Sequence, residues 1–188
     1  FDKIENYFPW NYETDYGCSV GRYANRINAG QFTLPGATEP VVLDKNNDGF
    51  HSLHGGYTGW QYQVYDVVEA TDNAISLKRI SPDGDNKFPG NVEAIVKFEL
   101  TDDNAIEITY DATTDAPTII NMTNHTYFNL SGDFNNTIEE SILQVNADFY
   151  TPADETYMPT GEVRSVEGTV FDFRTPKKIG TDINSECL

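Results

Sequence analysis

The chain has 188 residues, of which 38% are hydrophobic and 13% aromatic, and its formal net charge is −18. This composition is ample for a folded core and excludes wholesale disorder. The strong negative charge argues against nucleic acid, anionic membrane surfaces and phosphate-rich ligands as partners. The sequence also contains no apolar run of about 18 residues that would predict a membrane span.

Strand-like alternation of apolar and polar residues runs through most of the chain, and no segment carries a convincing helical stripe. The predicted strands, in chain order, are Gln31–Leu34, Gln61–Val68, Ala74–Arg79, Val92–Leu100, Ala105–Thr113, Thr137–Ala147 and Gly168–Phe173. Turn-forming residues occupy Asn46–Gly49, Pro82–Asp85 and Thr101–Asn104, and Thr151–Thr160 is predicted to be a loop. Many short strands with frequent turns predict an all-β sandwich, which we expect to form a single domain over residues 1–188.

The first candidate site segment is Gly21–Ile27, in which two arginines stand four residues apart. Asn25 and Arg26 could offer an amide and a forked set of donors to a polyhydroxyl ligand. The alternative is a surface arginine pair, Arg22 and Arg26, that holds carboxylates. Taken alone, this segment favours the surface pair.

The second segment contains His51 and His54, followed by Gly55 and Gly56. Histidines three residues apart on a strand point to opposite faces, and zinc needs further ligands, so no metal site is predicted. The two cysteines, Cys18 and Cys187, are too few and too far apart for a disulfide framework or a zinc site. Paired glycines allow a ligand to approach the backbone closely, which favours His54 as a residue at the rim of a cleft.

The third segment, Asn121–Gly132, is the most informative because it combines amides, hydroxyls, aromatics and a histidine. Such a mixture suits a polar pocket better than a core. His125 stands at its centre, and histidine is the side chain best suited to proton transfer near neutral pH. The alternative is a histidine satisfied inside the sheet by Asn124 or Thr126.

Together, these segments resemble the aldose 1-epimerase (galactose mutarotase) family. The matching motifs are Gly21–Ile27, Asn47–Gly56, Ser81–Gly84, Asn121–Gly132 and Pro159–Val163, and they follow one another in the family's order. The resemblance extends essentially from Cys18 to Gly180. It implies a large antiparallel β-sandwich, the galactose mutarotase-like supersandwich, that interconverts the α and β anomers of free hexoses such as glucose and galactose.

The resemblance also implies roles for particular residues. His125 matches the general acid, and no metal or organic cofactor takes part. The residues that match substrate contacts, or flank the acid, are Asn25, Arg26, His54, Thr126 and Tyr127. Arg22 and His51 lie inside the motifs but receive no direct role. The expected partner is a small aldose sugar, with no nucleic acid and no membrane; the oligomeric state stays open, and the cytoplasm is favoured as the compartment.

The sequence departs from the family pattern in one respect. The family's general base is a glutamate near the C-terminus, after an Asp-His-Asn-type motif, and neither motif occurs here. Glu155, Glu162 and Glu167 match no catalytic motif. The resemblance therefore implies an incomplete sandwich, truncated at both ends and inactive alone. The alternatives are a sugar-binding sandwich without turnover and an epimerase of phosphorylated hexoses, which the charge of −18 disfavours.

Overall fold

The structure is a computed structural model that describes residues 3–7, 15–133 and 135–185, so that Cys187 lies outside the described residues. Within these ranges the chain forms short strands and 3₁₀ turns but no α-helix. The strands are β1 (Ser19–Val20), β2 (Arg26–Ile27), β3 (Gln31–Phe32), β4 (Val41–Val42), β5 (Ser52–Leu53), β6 (Asp66–Ala70), β7 (Ala74–Ser81), β8 (Val92–Leu100), β9 (Ile106–Thr114), β10 (Thr123–Asn124), β11 (Ile142–Leu143), β12 (Phe149–Tyr150), β13 (Arg164–Ser165) and β14 (Lys177–Lys178). The 3₁₀ turns are Ile4–Tyr7, Asn28–Gly30, Trp60–Tyr62, Asp85–Lys87 and Ile179–Thr181.

Internal contacts group the chain into two compact units, Phe1–Thr126 and Tyr127–Leu188. The expectation of one domain over residues 1–188 stays a prediction. No helix in the described part of the chain is long and apolar enough to cross a membrane.

The largest element of the first unit is a four-stranded antiparallel sheet in the order β6-β7-β8-β9. Along β8 every second residue at its start is buried, namely Val92, Ala94 and Val96. This period of two places one face of the strand on the core. The β8–β9 hairpin closes through a turn in which the Thr101 amide donates to the Ala105 carbonyl at 2.8 Å. The predicted hairpin is confirmed.

Two groups of buried side chains form the core of the first unit. Ile27, Leu43 and Phe88 make one group, and Trp60 packs with Val92 and Ala94 in the other. Each of these six side chains is at most 8% exposed. Burial on this scale anchors the loops that leave the core, which include the segments singled out in the sequence.

Three pairs of two-residue antiparallel strands bring those segments together in the first unit. They are β1 with β10, β2 with β5, and β3 with β4. In the second of these pairs Arg26 lies opposite Leu53. In the first pair Ser19 lies opposite Asn124. The residues at the ends of these ladders are Asn25, His54 and His125.

The second unit is held by two further antiparallel pairs, β11 with β14 and β12 with β13. Long loops connect them, and Tyr150 packs against Phe171 with ring centroids 4.7 Å apart. The predicted loop Thr151–Thr160 is confirmed, because none of its residues belongs to a helix or a strand. The segment contains an isolated β-bridge between Ala153 and Pro159.

Four predicted strands differ from the observed ones in at least half their length. Of Gln31–Leu34, only Gln31–Phe32 is a strand. In Gln61–Val68 the first residues form a 3₁₀ turn and the strand begins only at Asp66. Of Thr137–Ala147, only Ile142–Leu143 is a strand. Gly168–Phe173 is a turn region, closed by the Thr169 amide on the Val166 carbonyl at 3.0 Å. In these segments the main chain makes hydrogen bonds within local turns instead of with a neighbouring strand. A short run of apolar residues in the sequence does not distinguish these two outcomes.

Candidate functional site

His54 occupies the position directly after β5, where the chain turns. Its φ of 50° lies in the left-handed region. Its main-chain amide donates to the Asn25 carbonyl at 3.1 Å. Its ring nitrogen Nδ1 accepts a hydrogen bond from the Asn25 amide at 3.0 Å. Two bonds to one residue therefore fix both the backbone and the ring of His54.

His125 occupies the corresponding position directly after β10. Its amide donates to the Cys18 carbonyl at 2.9 Å, and its carbonyl accepts from the Gly17 amide at 3.0 Å. The ladder thus continues through His125 and holds its backbone. Its ring meets the His54 ring edge to face, with centroids 5.2 Å apart. The fold therefore brings together two histidines that are 71 residues apart in sequence (125 − 54).

Arg26, at the start of β2, lies beside this pair and is oriented by two amide oxygens. Its Nε donates to Asn47 Oδ1 at 2.7 Å, and its Nη1 donates to Asn25 Oδ1 at 3.4 Å. A guanidinium carries five donor hydrogens in a planar fork, which suits it to hydrogen-bond oxygen atoms. The side chain is half-buried rather than a solvated surface arginine.

Asn47 was not recognised as a site residue from the sequence. It lies in the predicted turn Asn46–Gly49, where the Phe50 amide donates to the Asn47 carbonyl at 3.0 Å. The sequence signal was limited to turn formation, because Asn47 reaches Arg26 only through the pairing of β2 with β5.

A polar cleft of about 730 Å³ opens next to these residues. Leu53 and Gly56, which flank His54 in sequence, both contribute to its wall, as does Asn47. The remaining lining residues are carboxylates, amides, hydroxyls and tyrosines: Asp15, Asn46, Asp48, Tyr57, Thr58 and Tyr62. Volumes of about 300–1,000 Å³ are typical of small-molecule sites. The lining offers both donors and acceptors to a neutral polar ligand.

The electrostatic surroundings of His54 disfavour its charged form. Burial lowers the pKa of His54 below its ordinary value of 6.5, and the positive charges of His125 and Arg26 act in the same direction. The carboxylate of Asp15 opposes them. Across the same cleft, burial and then the charge of Asp15 raise the pKa of Tyr62 to about 12, so its hydroxyl keeps its proton at neutral pH.

The structure brings Asn25, Arg26, His54 and His125 into one place, whereas the other two predicted contacts are less constrained. Thr126 is exposed, and its amide donates to Asn124 Oδ1 at 3.0 Å. Tyr127 begins the second unit and its side chain is exposed. A substrate role for Thr126 and Tyr127 stays a prediction.

Arg22, four residues before Arg26, has a different environment. Its side chain is 1% exposed. It donates to the carbonyls of Ser81, Pro82, Pro89 and Gly90 at 2.8–3.0 Å. The pair Arg22 and Arg26 is therefore not a surface pair that holds carboxylates. Arg22 therefore connects the chain at the start of the Pro82–Asp85 turn with the chain that follows it, at Pro89 and Gly90.

His51 is likewise buried, away from solvent at 3% exposure. Its Nδ1 accepts from the Ala29 amide at 3.3 Å, and Phe50 packs edge-on against its ring. In the described ranges no group of three or more histidine, cysteine, aspartate or glutamate residues could hold a metal ion.

Comparison with known proteins identifies the family. The profile of the aldose 1-epimerase family matches residues 1–187. The chain belongs to the aldose 1-epimerase family. The chain is 45% identical over 166 residues to the aldose 1-epimerase of Escherichia coli K12, covering 88% of this chain and 47% of that protein. It is 38% identical over 180 residues to the galactose mutarotase of Bos taurus, covering 96% of this chain and 51% of that protein.

Solved structures of the aldose 1-epimerase family share the fold. The aldose epimerase homologue from C. elegans superposes with a TM-score of 0.88 at 34% identity, covering 100% of this chain and 56% of that one. The galactose 1-epimerase of Lactobacillus acidophilus gives a TM-score of 0.86 at 36% identity, with coverages of 98% and 54%. The predicted all-β, mutarotase-like sandwich is confirmed. The chain spans about half the length of the curated relatives it matches.

Proposed function

We propose that the protein is an aldose 1-epimerase that interconverts the α and β anomers of free hexoses such as glucose and galactose. The observation that carries the proposal is the edge-to-face pair of His54 and His125, with ring centroids 5.2 Å apart. Leu53, directly before His54 in sequence, lines a polar cleft beside the pair. Family membership supports it, since the relatives of E. coli and Bos taurus are an aldose 1-epimerase and a galactose mutarotase.

The reaction opens and recloses a cyclic hemiacetal. A base takes the proton of the anomeric hydroxyl, the C1–O1 bond becomes a carbonyl, and the bond between C1 and the ring oxygen breaks. An acid gives a proton to the ring oxygen as that bond breaks. Rotation about C1–C2 presents the other face of the carbonyl, and the reverse proton transfers close the ring. General acid catalysis of this type contributes about 10²–10⁴-fold in rate.

His125 is the acid in this proposal. Its main-chain N–H and C=O are both hydrogen-bonded, to Cys18 and Gly17 just before β1, so the position of its backbone relative to a bound sugar is fixed. His54 and Arg26 present N–H donors to the ring and hydroxyl oxygens, which holds the sugar in a reactive orientation. The base belongs to a motif that residues 1–188 do not match.

The cleft suits a free sugar better than a phosphorylated one. Its lining includes the carboxylates Asp15 and Asp48, and Arg26 is its neighbouring cation. The formal charge of −18 also repels a phosphate ester. A hexose offers hydroxyls that can pair with both amides and carboxylates.

Polarimetry of freshly dissolved α-D-glucose with the complete protein tests the proposal. We expect a rate of anomer exchange well above that of buffer, and a loss of about 10²-fold or more in His125→Ala. Tyr157→Ala, at an exposed position of the second unit, is the control and keeps the activity. Sugar binding without exchange would identify a binding module instead. Faster exchange with glucose 6-phosphate than with glucose would identify a sugar-phosphate epimerase.

A further inference from the structure

The end of the β2–β5 ladder departs from ordinary strand pairing. The register places Arg26 opposite Leu53, so Asn25 lies opposite His54. Residues in a hydrogen-bonded antiparallel pair normally exchange two bonds between main-chain N–H and C=O groups. Here the first bond is present, from the His54 amide to the Asn25 carbonyl at 3.1 Å. The Asn25 amide instead donates to the His54 ring nitrogen Nδ1 at 3.0 Å.

The His54 carbonyl, which the ladder would have used, has another donor. Gln61 Nε2 donates to it at 3.0 Å. Asn25 and His54 both adopt left-handed conformations, with φ of 66° and 50°. Asparagine tolerates this region better than most residues, because its short polar side chain bonds locally. The ring bond is therefore built into the turn rather than made by chance rotation of a side chain.

The bond determines where the ring carries its proton. A nitrogen that accepts a hydrogen bond must present a lone pair, so Nδ1 is unprotonated. A neutral imidazole then has its proton on Nε2. The imidazolium form would set a second N–H against the Asn25 amide and break this bond.

We propose that Asn25 is a positioning residue that fixes His54 as a neutral imidazole with its single proton on Nε2. His54 then acts as a fixed neutral hydrogen-bond donor, whereas His125 carries the proton that is transferred. The use of this donor on a sugar oxygen rests on the proposed function. The side chain of Asn25 makes a separate contact, since its Oδ1 accepts from the Arg26 amide at 2.8 Å.

The charges that face His54 support this assignment. Arg26 from β2 and His125 from the end of β10 disfavour a charged His54, and burial acts in the same direction. Asp15 is the group that favours the charged form. Burial is the largest effect, and the pKa lies below 6.5.

Nuclear magnetic resonance of the complete protein, labelled with ¹⁵N in its histidines, tests the proposal without any activity measurement. Long-range ¹H–¹⁵N correlations report which ring nitrogen is protonated. For His54 we expect a protonated Nε2 and an unprotonated Nδ1, and we expect this state to persist as the pH falls below 6.5. A proton on Nδ1 at pH 7, or an imidazolium at pH 7, would overturn the proposal.

Two substitutions test the part played by Asn25. Asn25→Gly keeps the left-handed backbone and the main-chain donor, whereas Asn25→Val disfavours that backbone. We expect the glycine variant to keep the Nε2 form. In the valine variant we expect mixed tautomers and a pKa of His54 that rises toward its ordinary value. Equal spectra for the two variants would overturn the positioning role.

The test stays decisive if the valine variant does not fold, because the titration of the unsubstituted protein already discriminates the two ring forms. It is also separate from the test of function. A protein without anomer exchange that keeps the Nε2 form refutes the epimerase and leaves the positioning role intact.

Discussion

The rings of His54 and His125 meet with their centroids 5.2 Å apart and their planes at 83°. Two positive charges at this distance would repel each other, and this repulsion adds to burial in disfavouring a charged His54. His54 accepts a hydrogen bond from the Asn25 amide at Nδ1, and in the proposed mechanism the transferred proton comes from His125. Under this proposal, two chemically identical side chains have different roles: His54 donates a hydrogen bond and His125 donates a proton.

The charge of Asp15 sets how far His54 resists protonation. Asp15 raises the pKa of His54, against burial, His125 and Arg26. In Asp15→Asn we therefore expect His54 to acquire its proton at a lower pH than in the unsubstituted protein, as measured by the ¹⁵N titration. Asp66→Asn, on the exposed strand β6, is the control and leaves the titration unchanged. A titration that moves to higher pH in Asp15→Asn would contradict the electrostatic account.

Acid also destabilises the fold through His54. Its folded pKa lies below the ordinary value of 6.5, so as the pH falls the unfolded chain binds this proton first. The contribution of His54 to stability is therefore present above pH 6.5 and is lost as the pH falls through the folded pKa. Urea unfolding between pH 7.5 and about pH 5 measures it. We expect a shallower decline in His54→Gln, and an identical decline in both proteins would contradict the assignment.

Asn47 orients Arg26 through the 2.7 Å bond to Nε. A hydrogen bond to a charged group is worth about 1.5–3 kcal/mol, so we expect Asn47→Leu to raise KM for glucose about tenfold or more. We expect a smaller effect on kcat, because His125, the proposed acid, is untouched. Asn47→Asp keeps the acceptor oxygen and serves as the matched control. Equal KM values for the leucine variant and the unsubstituted protein would show that Arg26 needs no such support.

Gly55 is essential for a steric reason. A Cβ at this position would lie 2.0 Å from the Gly21 carbonyl oxygen, and the φ is +80°. Gly36 has a similar φ of +82° and nothing within 4 Å of its Cβ position. The left-handed backbone alone costs about 1–2 kcal/mol, so Gly36→Ala measures that cost and we expect Gly55→Ala to lose at least about 4 kcal/mol. Urea denaturation of both variants measures the difference, and equal losses would refute the steric account.

Arg22 stabilises the turn that follows β7. Arg22→Met leaves four carbonyls without this donor, and those of Ser81 and Gly90 are buried. Each buried acceptor left unpaired costs about 1–3 kcal/mol. We expect a loss of at least about 3 kcal/mol in the free energy of unfolding. Arg164→Met, at an exposed arginine of the second unit, is the control and changes stability by less than about 1 kcal/mol. A small effect in both variants would mean that water replaces the guanidinium.

The 188-residue chain expressed alone should aggregate and show little anomer exchange. Several large apolar side chains are exposed, among them Val64 at 90% and Leu130 at 85%. Exposed apolar side chains of this kind favour association. Size-exclusion chromatography and thermal unfolding test this. A soluble monomer that unfolds cooperatively at about 45–65 °C would contradict it.

The sequence predicted those parts of the fold that local patterns determine. The hairpin of β8 and β9 was predicted to within one residue, because alternation and turn chemistry agree there. Gly168–Phe173 has an apolar content similar to that of the hairpin, but it forms turns. The hydrogen bond of its Thr169 amide goes to the Val166 carbonyl, outside the segment, and no local sequence pattern predicts this bond.

The site residues likewise fall into two groups: those that a local sequence pattern revealed and those that only the fold brings together. His54 and His125 stood out as the centres of two motifs. The roles of Asn47 and Gln61 were missed, because Arg26 and Asn47 are 21 residues apart and meet only in the folded ladder. Gln61 reaches the His54 carbonyl from the 3₁₀ turn of Trp60–Tyr62, whereas the sequence had predicted a strand beginning at Gln61.

The close packing around Gly21 has a consequence for mutational scans that read only activity. A Cβ at Gly21 would lie 2.2 Å from the Trp60 ring, just as one at Gly55 would meet the backbone of Gly21. Substitutions of Gly21 and Gly55 would therefore reduce activity in such a scan as a substitution of His54 would, although neither glycine has a functional group to offer a sugar. Only a paired measurement of protein abundance would separate the residues that touch the sugar from those that leave room for the histidine.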